Sequence, residues 1–213
     1  MVEDRGLVIE NRGGIHWLRL NRPDRLNAFD WPMLDALLEA VESCRSSDAH
    51  GVVITGTGRG YCVGADVRAI LASDAHLDPG ERRRRIERTH EIMLALEGLG
   101  KPSVAAVNGV AAGGGWALAL AADLVVATPQ ARFVTGFSRL GLVPDMGAMY
   151  TLTRRVGVAR ATEVFLTRKE ITVSEALDWG AVDHVVPHDS LLHSAERLLL
   201  GTRRPESAAW RTA

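Results

Sequence analysis

The residues best placed to do chemistry lie in two glycine-rich stretches, Gly56 to Asp66 (GTGRGYCVGAD) and Asn108 to Gly115 (NGVAAGGG). Each follows a short apolar run, Gly51 to Thr55 and Ser103 to Val107, that reads as a buried parallel strand. The second opens directly into Trp116 to Ala122, an apolar segment read as a helix. Glycine lets a main-chain N–H turn outward and a ligand come close. A helix N-terminus adds unpaired N–H groups and a partial positive charge. Two such N–H groups converging on one point would hold a developing oxyanion. Tight turns that pack a helix on a sheet would account for the same glycines, so both readings stand at this level. A dinucleotide or triphosphate site is not indicated. Tyr61 occupies the last position of GxGxxG, and no P-loop sequence occurs.

The elements that must position these stretches alternate between strand and helix. Leu7 to Glu10 and Ile15 to Leu20 read as strands around the Asn11-Arg12-Gly13-Gly14 turn. Asp30 is placed to cap a helix running to about Cys44, with Pro32 in its first turn and Leu34, Leu37, Leu38 and Val41 on one face. A second amphipathic helix is expected from about Ile86 to Leu99. Asp123 to Ala127 and Arg132 to Val134 read as further strands. Thr172 and Glu175 form a capping box for a helix ending at Gly180, followed by a strand at His184 to Val186 and a helix at Leu191 to Leu200. This alternation predicts an α/β fold with a mainly parallel sheet.

Composition narrows the function. The 213 residues include 25 basic and 26 acidic ones, a formal net charge of -1, which argues against a nucleic-acid binder. With 46% hydrophobic and 24% charged residues, the chain has the make-up of a globular protein with one core. Cys44 and Cys62 make neither a disulfide framework nor a metal site, the histidines lack ligand spacing, and the acidic N-terminus has no apolar signal core. A cytoplasmic protein is expected. Pro102 to Ala122 carries no charge and is long enough to span a bilayer, but Pro102, Asn108 and four glycines interrupt it. It reads as two short elements joined by a glycine turn, with no membrane association.

Five blocks of sequence, in order, resemble the crotonase superfamily, the enoyl-CoA hydratase/isomerase family. They are Asn21-Arg22-Pro23-Asp24-Arg25-Leu26-Asn27-Ala28, Tyr61-Cys62-Val63-Gly64-Ala65-Asp66, Ala106 to Gly115 (AVNGVAAGGG), Leu140-Gly141-Leu142-Val143-Pro144-Asp145, and Glu175-Ala176-Leu177-Asp178-Trp179-Gly180. The resemblance implies a crotonase-like spiral of ββα units over residues 1–190, with a shortened C-terminal helical region over 191–213. It implies a coenzyme A thioester as substrate, with coenzyme A as part of that substrate and no separate cofactor. It implies an oxyanion hole from the N–H groups of Ala65 and Gly114. It places Arg25, Ala28, Val63, Asp66, Val67, Gly113, Trp116 and Phe137 around the bound thioester. A homotrimer or dimer of trimers is the assembly implied. C-terminal helices help build it in the family, whereas this sequence ends at Ala213.

The sequence departs from the family where hydration chemistry resides. The two glutamates that handle water in the hydratases are replaced by Ala117 and Phe137, neither of which can move a proton. Asp145 remains as the acid in that neighbourhood. In the family an aspartate here is a proton shuttle in some isomerases and the nucleophile in a dehalogenase branch. The Val-Pro-Asp-Met-Gly context is nearest to isomerases of phenylacetate-derived thioesters. One carboxylate suffices to take a proton beside a carbonyl and return it at another carbon. Isomerisation is therefore favoured over hydration by an atypical acid/base pair, and over a catalytically degenerate CoA-binding or assembly protein. Phe137, Met146 and Trp116 are expected to desolvate Asp145 and raise its pKa. An N-cap role for Asp145, before a helix over Gly147 to Thr153, is the competing assignment.

The remaining candidates each have a plain alternative. Arg25 suits a coenzyme A phosphate but equally an exposed surface. Asp66 would shape its loop or the adenine pocket, or cap a local turn. Trp116 would limit the size of the acyl group or fill the core, and Met146 and Met149 present the same choice. Arg82 to Arg85 are read as a solvated helix face with Glu81–Arg85 and Arg83–Glu87 pairs. Cys62 is read as a packed small side chain.

Overall fold

The computed structural model describes residues 2–202. In chain order the strands are β1 (Val2–Asp4), β2 (Leu7–Arg12), β3 (Ile15–Leu20), β4 (Gly51–Gly56), β5 (Gly60–Cys62), β6 (Ser103–Val107), β7 (Val110–Ala112), β8 (Leu124–Ala127), β9 (Arg132–Val134), β10 (Glu170–Thr172) and β11 (His184–Val185). The helices are α1 (Trp31–Ser46), α2 (Val67–Asp74), α3 (Pro79–Glu97), α4 (Gly114–Ala121), α5 (Ala148–Val156), α6 (Val158–Thr167), α7 (Val173–Asp178) and α8 (Leu191–Gly201).

The strands form two sheets, ordered β1-β2-β3-β4-β6-β8-β11 and β10-β9-β7-β5. From β3 to β11 the larger sheet is parallel, and β5, β7 and β9 are parallel in the smaller one. The chain repeats one path three times. β4, β6 and β8 each lie in the large sheet, and the strand that follows each crosses to the small one before the chain enters helix. This repetition is the spiral of ββα units. It stacks the ends of β5 and β7 side by side, which brings the two glycine-rich stretches together.

Local chemistry explains most boundaries. Asp30 accepts from the Met33 N–H at 3.1 Å and starts α1, and the Thr172–Glu175 capping box starts α7. Two asparagines fix the β4–β5 turn. Asn27 donates to the carbonyls of Thr57 and Gly60 at 3.0 and 2.9 Å, and Asn108 donates to those of Gly58 and Gly60 at 2.8 and 3.1 Å. α8 packs Leu191, Ala195 and Leu199 into a second apolar cluster with Trp17, Val53 and Val104. It thereby closes the face of the large sheet opposite α1. The rest of the expected C-terminal segment, residues 203–213, lies outside the described residues.

Several expectations need correcting. The glycine-rich stretches are not loops throughout, since each contains a three-residue strand, β5 or β7. α3 begins at Pro79 rather than near Ile86, because Asp78 and Glu81 form a capping box there. α2 and α6 were not expected. α7 ends at Asp178, two residues before Gly180. The uncharged segment 102–122 resolves into β6, β7 and α4, and no helix among the described residues is long and apolar enough to cross a membrane.

Candidate active site

The two stretches meet at Gly64 and Gly114. Gly64 has φ +84, and a Cβ there would stand 3.0 Å from the Ala112 carbonyl oxygen and 3.1 Å from the Gly114 nitrogen. Gly115 seats the first turn of α4 directly on the end of β5. A Cβ on it would collide with the Cys62 carbonyl oxygen. Larger residues at either position would therefore separate the stretches.

The amides expected to act together have defined orientations. Phe29 and Ala65 form an isolated parallel bridge, in which the Phe29 N–H donates to Gly64 O and the Asp66 N–H donates to Phe29 O, both at 2.7 Å. In that pattern the N–H of Ala65 itself points away from Phe29. On the other stretch, the Gly113 N–H donates to Val134 O at 2.9 Å, and the first bond of α4 runs from the Ala117 N–H to Gly113 O at 3.1 Å. Gly114 is the first residue of α4, so its N–H has no acceptor within the helix. Both candidate donors thus flank one short contact between the stretches.

Arg22 holds the Ala65 side of this arrangement. Its guanidinium donates to Ala28 O at 2.6 Å and to the Asp66 carboxylate at 3.0 Å, and it lies 3.3 Å from Asp30. Asp66 also accepts from the Ala69 N–H at 3.2 Å and caps α2. That main-chain bond, then Arg22, holds its carboxyl below the usual range. Asp66 thus takes the capping role. Arg25 ends a short 3-10 helix, Pro23–Arg25, and is exposed. Ala28 is buried behind the bridge, Val63 and Val67 are half-buried, and Ala65 is exposed. Arg22 itself was not among the expected site residues, although its motif was recognised.

Asp145 approaches from the other side. It does not cap α5. The N-cap is Gly147 without any side-chain bond, and Asp145 contributes only its main-chain oxygen, to the Ala148 N–H at 2.9 Å. The next residue, Met146, is buried with φ +48, a left-handed conformation rare for a methionine. Its sulfur packs over Gly114, 2.5 Å from where a Cβ would lie. The strained turn therefore anchors Asp145 beside the α4 N-terminus. Desolvation by surrounding protein atoms raises the Asp145 pKa, and the electrostatic influence of His90 opposes the rise. Asp145 as a residue is exposed, so desolvation is partial. His90, like Arg22, was not among the expected site residues. It sits on α3, far away in sequence, and lines a groove of about 360 Å³ with Met93, Glu97, Gly147, Tyr150 and Arg154.

The positions of the absent glutamates border a much smaller space. Ala117 and Phe137 line a void of about 10 Å³ together with Gly113, Trp116 and Thr135. The Phe137 ring lies against Gly113, and Trp116 packs at a tilt against Phe133 with ring centroids 5.6 Å apart. Trp116 is 3% exposed, so it belongs to the core and to the lining of the void at once. Met149 is exposed rather than core-filling.

Cys62 is a packed side chain, as expected. It is buried, its sulfur accepts from the Gly64 N–H at 3.4 Å, and burial pushes the thiol up to about 12. In the arginine run, Arg83 pairs with Glu87 at 2.8 Å. The expected Glu81–Arg85 pair is replaced, since Glu81 closes the α3 capping box and Arg85 bonds Asp74 on α2. Among the described residues no group of His, Cys, Asp and Glu is arranged to hold a metal ion.

A spiral of ββα units with two glycine-rich stretches apposed defines a crotonase-type α/β protein. The chain belongs to the enoyl-CoA hydratase/isomerase family, whose model matches residues 10–209. It is 38% identical over 191 residues to a 1,2-epoxyphenylacetyl-CoA isomerase of Escherichia coli K12, covering 87% of this chain and 71% of that protein. It is 33% identical over 183 residues to 4-chlorobenzoyl coenzyme A dehalogenase-1 of an Arthrobacter species, covering 85% of this chain and 66% of that one. The crystal structure of an enoyl-CoA hydratase from Mycobacterium avium subsp. paratuberculosis K-10 superposes with a TM-score of 0.85 at 30% identity, covering 97% of this chain and 79% of that chain.

Proposed function

We propose that this protein is an acyl-CoA isomerase that stabilises a thioester enolate with the N–H groups of Ala65 and Gly114 and moves a proton with Asp145. The observation that carries this reading is the Met146 contact. The buried Met146 side chain, in a left-handed turn, packs on Gly114, and this supports a place for the adjoining Asp145 near the α4 N-terminus. A thioester carbonyl seated on those amides gains negative charge as a proton leaves the adjacent carbon. One donor of this kind is worth about 2.7–4 kcal/mol of barrier. A carboxylate with a raised pKa is better matched to that proton than an ordinary one. It can then return the proton further along the conjugated chain. Hydration is disfavoured because Ala117 and Phe137 supply no acid or base. Coenzyme A arrives with the substrate, and no separate cofactor takes part. Leu140, Leu142 and Val143 expose apolar surface beside Asp145, which supports assembly into a homotrimer or dimer of trimers. The test is proton exchange. Enoyl-CoA thioesters in deuterated water should take up deuterium at the α or γ carbon with the native protein and not with Asp145→Asn. No exchange with any thioester, despite measurable binding, would mean a degenerate member.

A second reading is favoured by one observation: His90 lines the groove that reaches Gly147, two residues after Asp145. A carboxylate beside an imidazole can displace a leaving group such as halide from a substrate carbon. Water deprotonated by the imidazole would then hydrolyse the resulting ester. Intact-mass measurement after mixing with a 4-halobenzoyl thioester distinguishes the two. A transient covalent adduct on Asp145 supports nucleophilic attack, and its absence alongside deuterium exchange supports isomerisation.

A further inference from the structure

We propose that the small void beside Gly113 is an oxygen-recognition subsite, through which Trp116 and Thr135 select thioesters whose acyl group carries a neutral oxygen near the reacting carbons. The inference rests on the acyl-CoA reading above and narrows it to a substrate class: hydroxy-, epoxy- or ketoacyl thioesters rather than plain hydrocarbon ones.

The void is lined mainly by apolar groups of α4 and α5, with Phe137 across it. Two lining residues are polar and nearly fully enclosed, Trp116 and Thr135, each 3% exposed. The Trp116 indole Nε1 and the Thr135 Oγ1 are buried, and neither has a hydrogen-bond partner among the described residues. A buried donor left unmade is costly, and two that share one void point to a missing common partner. The indole is enclosed in the core and packs at a tilt against Phe133, which limits its freedom to turn toward another partner. An indole N–H only donates, so the partner must accept, whereas the threonine hydroxyl can donate or accept. One oxygen atom with two lone pairs satisfies both. Charge is excluded. No cationic side chain lines the void, and a carboxylate there would lose its hydration without compensation. The volume of about 10 Å³ admits a single water-sized group. Gly113 on its wall adjoins Gly114, and Ala117 and Phe137 on its wall hold the positions of the family's water-handling glutamates, which ties the void to the proposed reaction site. Polar groups set into an apolar pocket in this way orient a ligand and reject analogues that leave them unpaired.

The test compares crotonyl-CoA with 4-hydroxycrotonyl-CoA by titration calorimetry on the full chain. The native protein should bind the hydroxylated thioester about tenfold or more tightly than the plain one, because the plain one leaves both groups unpaired. Trp116→Phe and Thr135→Val should each pull that ratio toward one. Threonine to valine nearly preserves shape, so it serves should Trp116→Phe misfold. A ratio of one in the native protein would show that the void holds only a resident water and would overturn the proposal. So would a ratio that neither variant changes. Failure to bind either thioester would instead overturn the acyl-CoA reading, and this proposal with it.

Discussion

Gly115→Ala should damage catalysis much more than folding. An added Cβ would lie 2.7 Å from both the carbonyl carbon and the Cβ of Cys62, in addition to its collision with the carbonyl oxygen. Ordinary carbon–carbon contact begins near 3.5 Å, so the first turn of α4 must retreat from β5 by about 0.8 Å. The obstacle is mostly backbone, so no side-chain rotation relieves it. The retreat carries the Gly114 N–H away from that of Ala65. A displacement of about 1 Å can cost on the order of 100-fold in rate, close to 2.7 kcal/mol of barrier. Overpacking of this kind costs about 1–3 kcal/mol of stability. The assay is the turnover rate of α-carbon deuterium exchange, paired with urea unfolding and thioester affinity. The expected pattern is a folded variant that binds coenzyme A thioesters yet exchanges about 100-fold more slowly. Exchange within threefold of the native rate would refute the reasoning, because the geometry of the paired amides would then not control the chemistry.

Other perturbations follow from the same contacts. Arg22→Met should cost about 2–3 kcal/mol in urea unfolding, since it strips hydrogen bonds from Ala28 O and Asp66, and it should lower kcat by loosening the Phe29–Ala65 bridge. Asp145→Asn should lower exchange by at least about 100-fold. It should also raise the melting temperature near neutral pH. Partial desolvation raises the carboxyl's folded pKa, so the stability contributed by its protonated form is fully present below the ordinary carboxylate range and is lost as pH rises through the raised value. The gain from asparagine should therefore vanish in acid. For the same reason, the acid limb of the kcat/KM profile should sit above the range of a free aspartate and disappear in this variant. Thr172→Ala removes the cap of α7 and should cost about 1 kcal/mol without changing exchange.

The sequence made the apposition of the two glycine stretches legible but concealed how it is built. The apolar runs at Gly51 and Ser103, the triple glycine and the capping residues Asp30 and Thr172 all carry local physical signals. β5 and β7 do not, because three-residue runs set among glycines are too short to show alternation. The first half of α3 is charged all round, so it has no apolar face to read, although Asp78-Pro79 and Glu81 are a usable start signal. Asp145 was identifiable as the acid in the right neighbourhood. Its anchoring was not, since nothing in a Pro-Asp-Met-Gly string announces a left-handed methionine packed on Gly114. His90 and Arg22 act through residues distant in sequence, and only the folded chain brings them to the site.

Isotope-edited infrared spectroscopy of a thioester labelled with carbon-13 at its carbonyl tests the paired amides most directly. On binding to the native protein, the carbonyl stretch should fall in frequency as both N–H groups draw charge onto the oxygen. Gly115→Ala should return it toward the value in water. A bound thioester whose carbonyl vibrates as it does in solution would contradict the account.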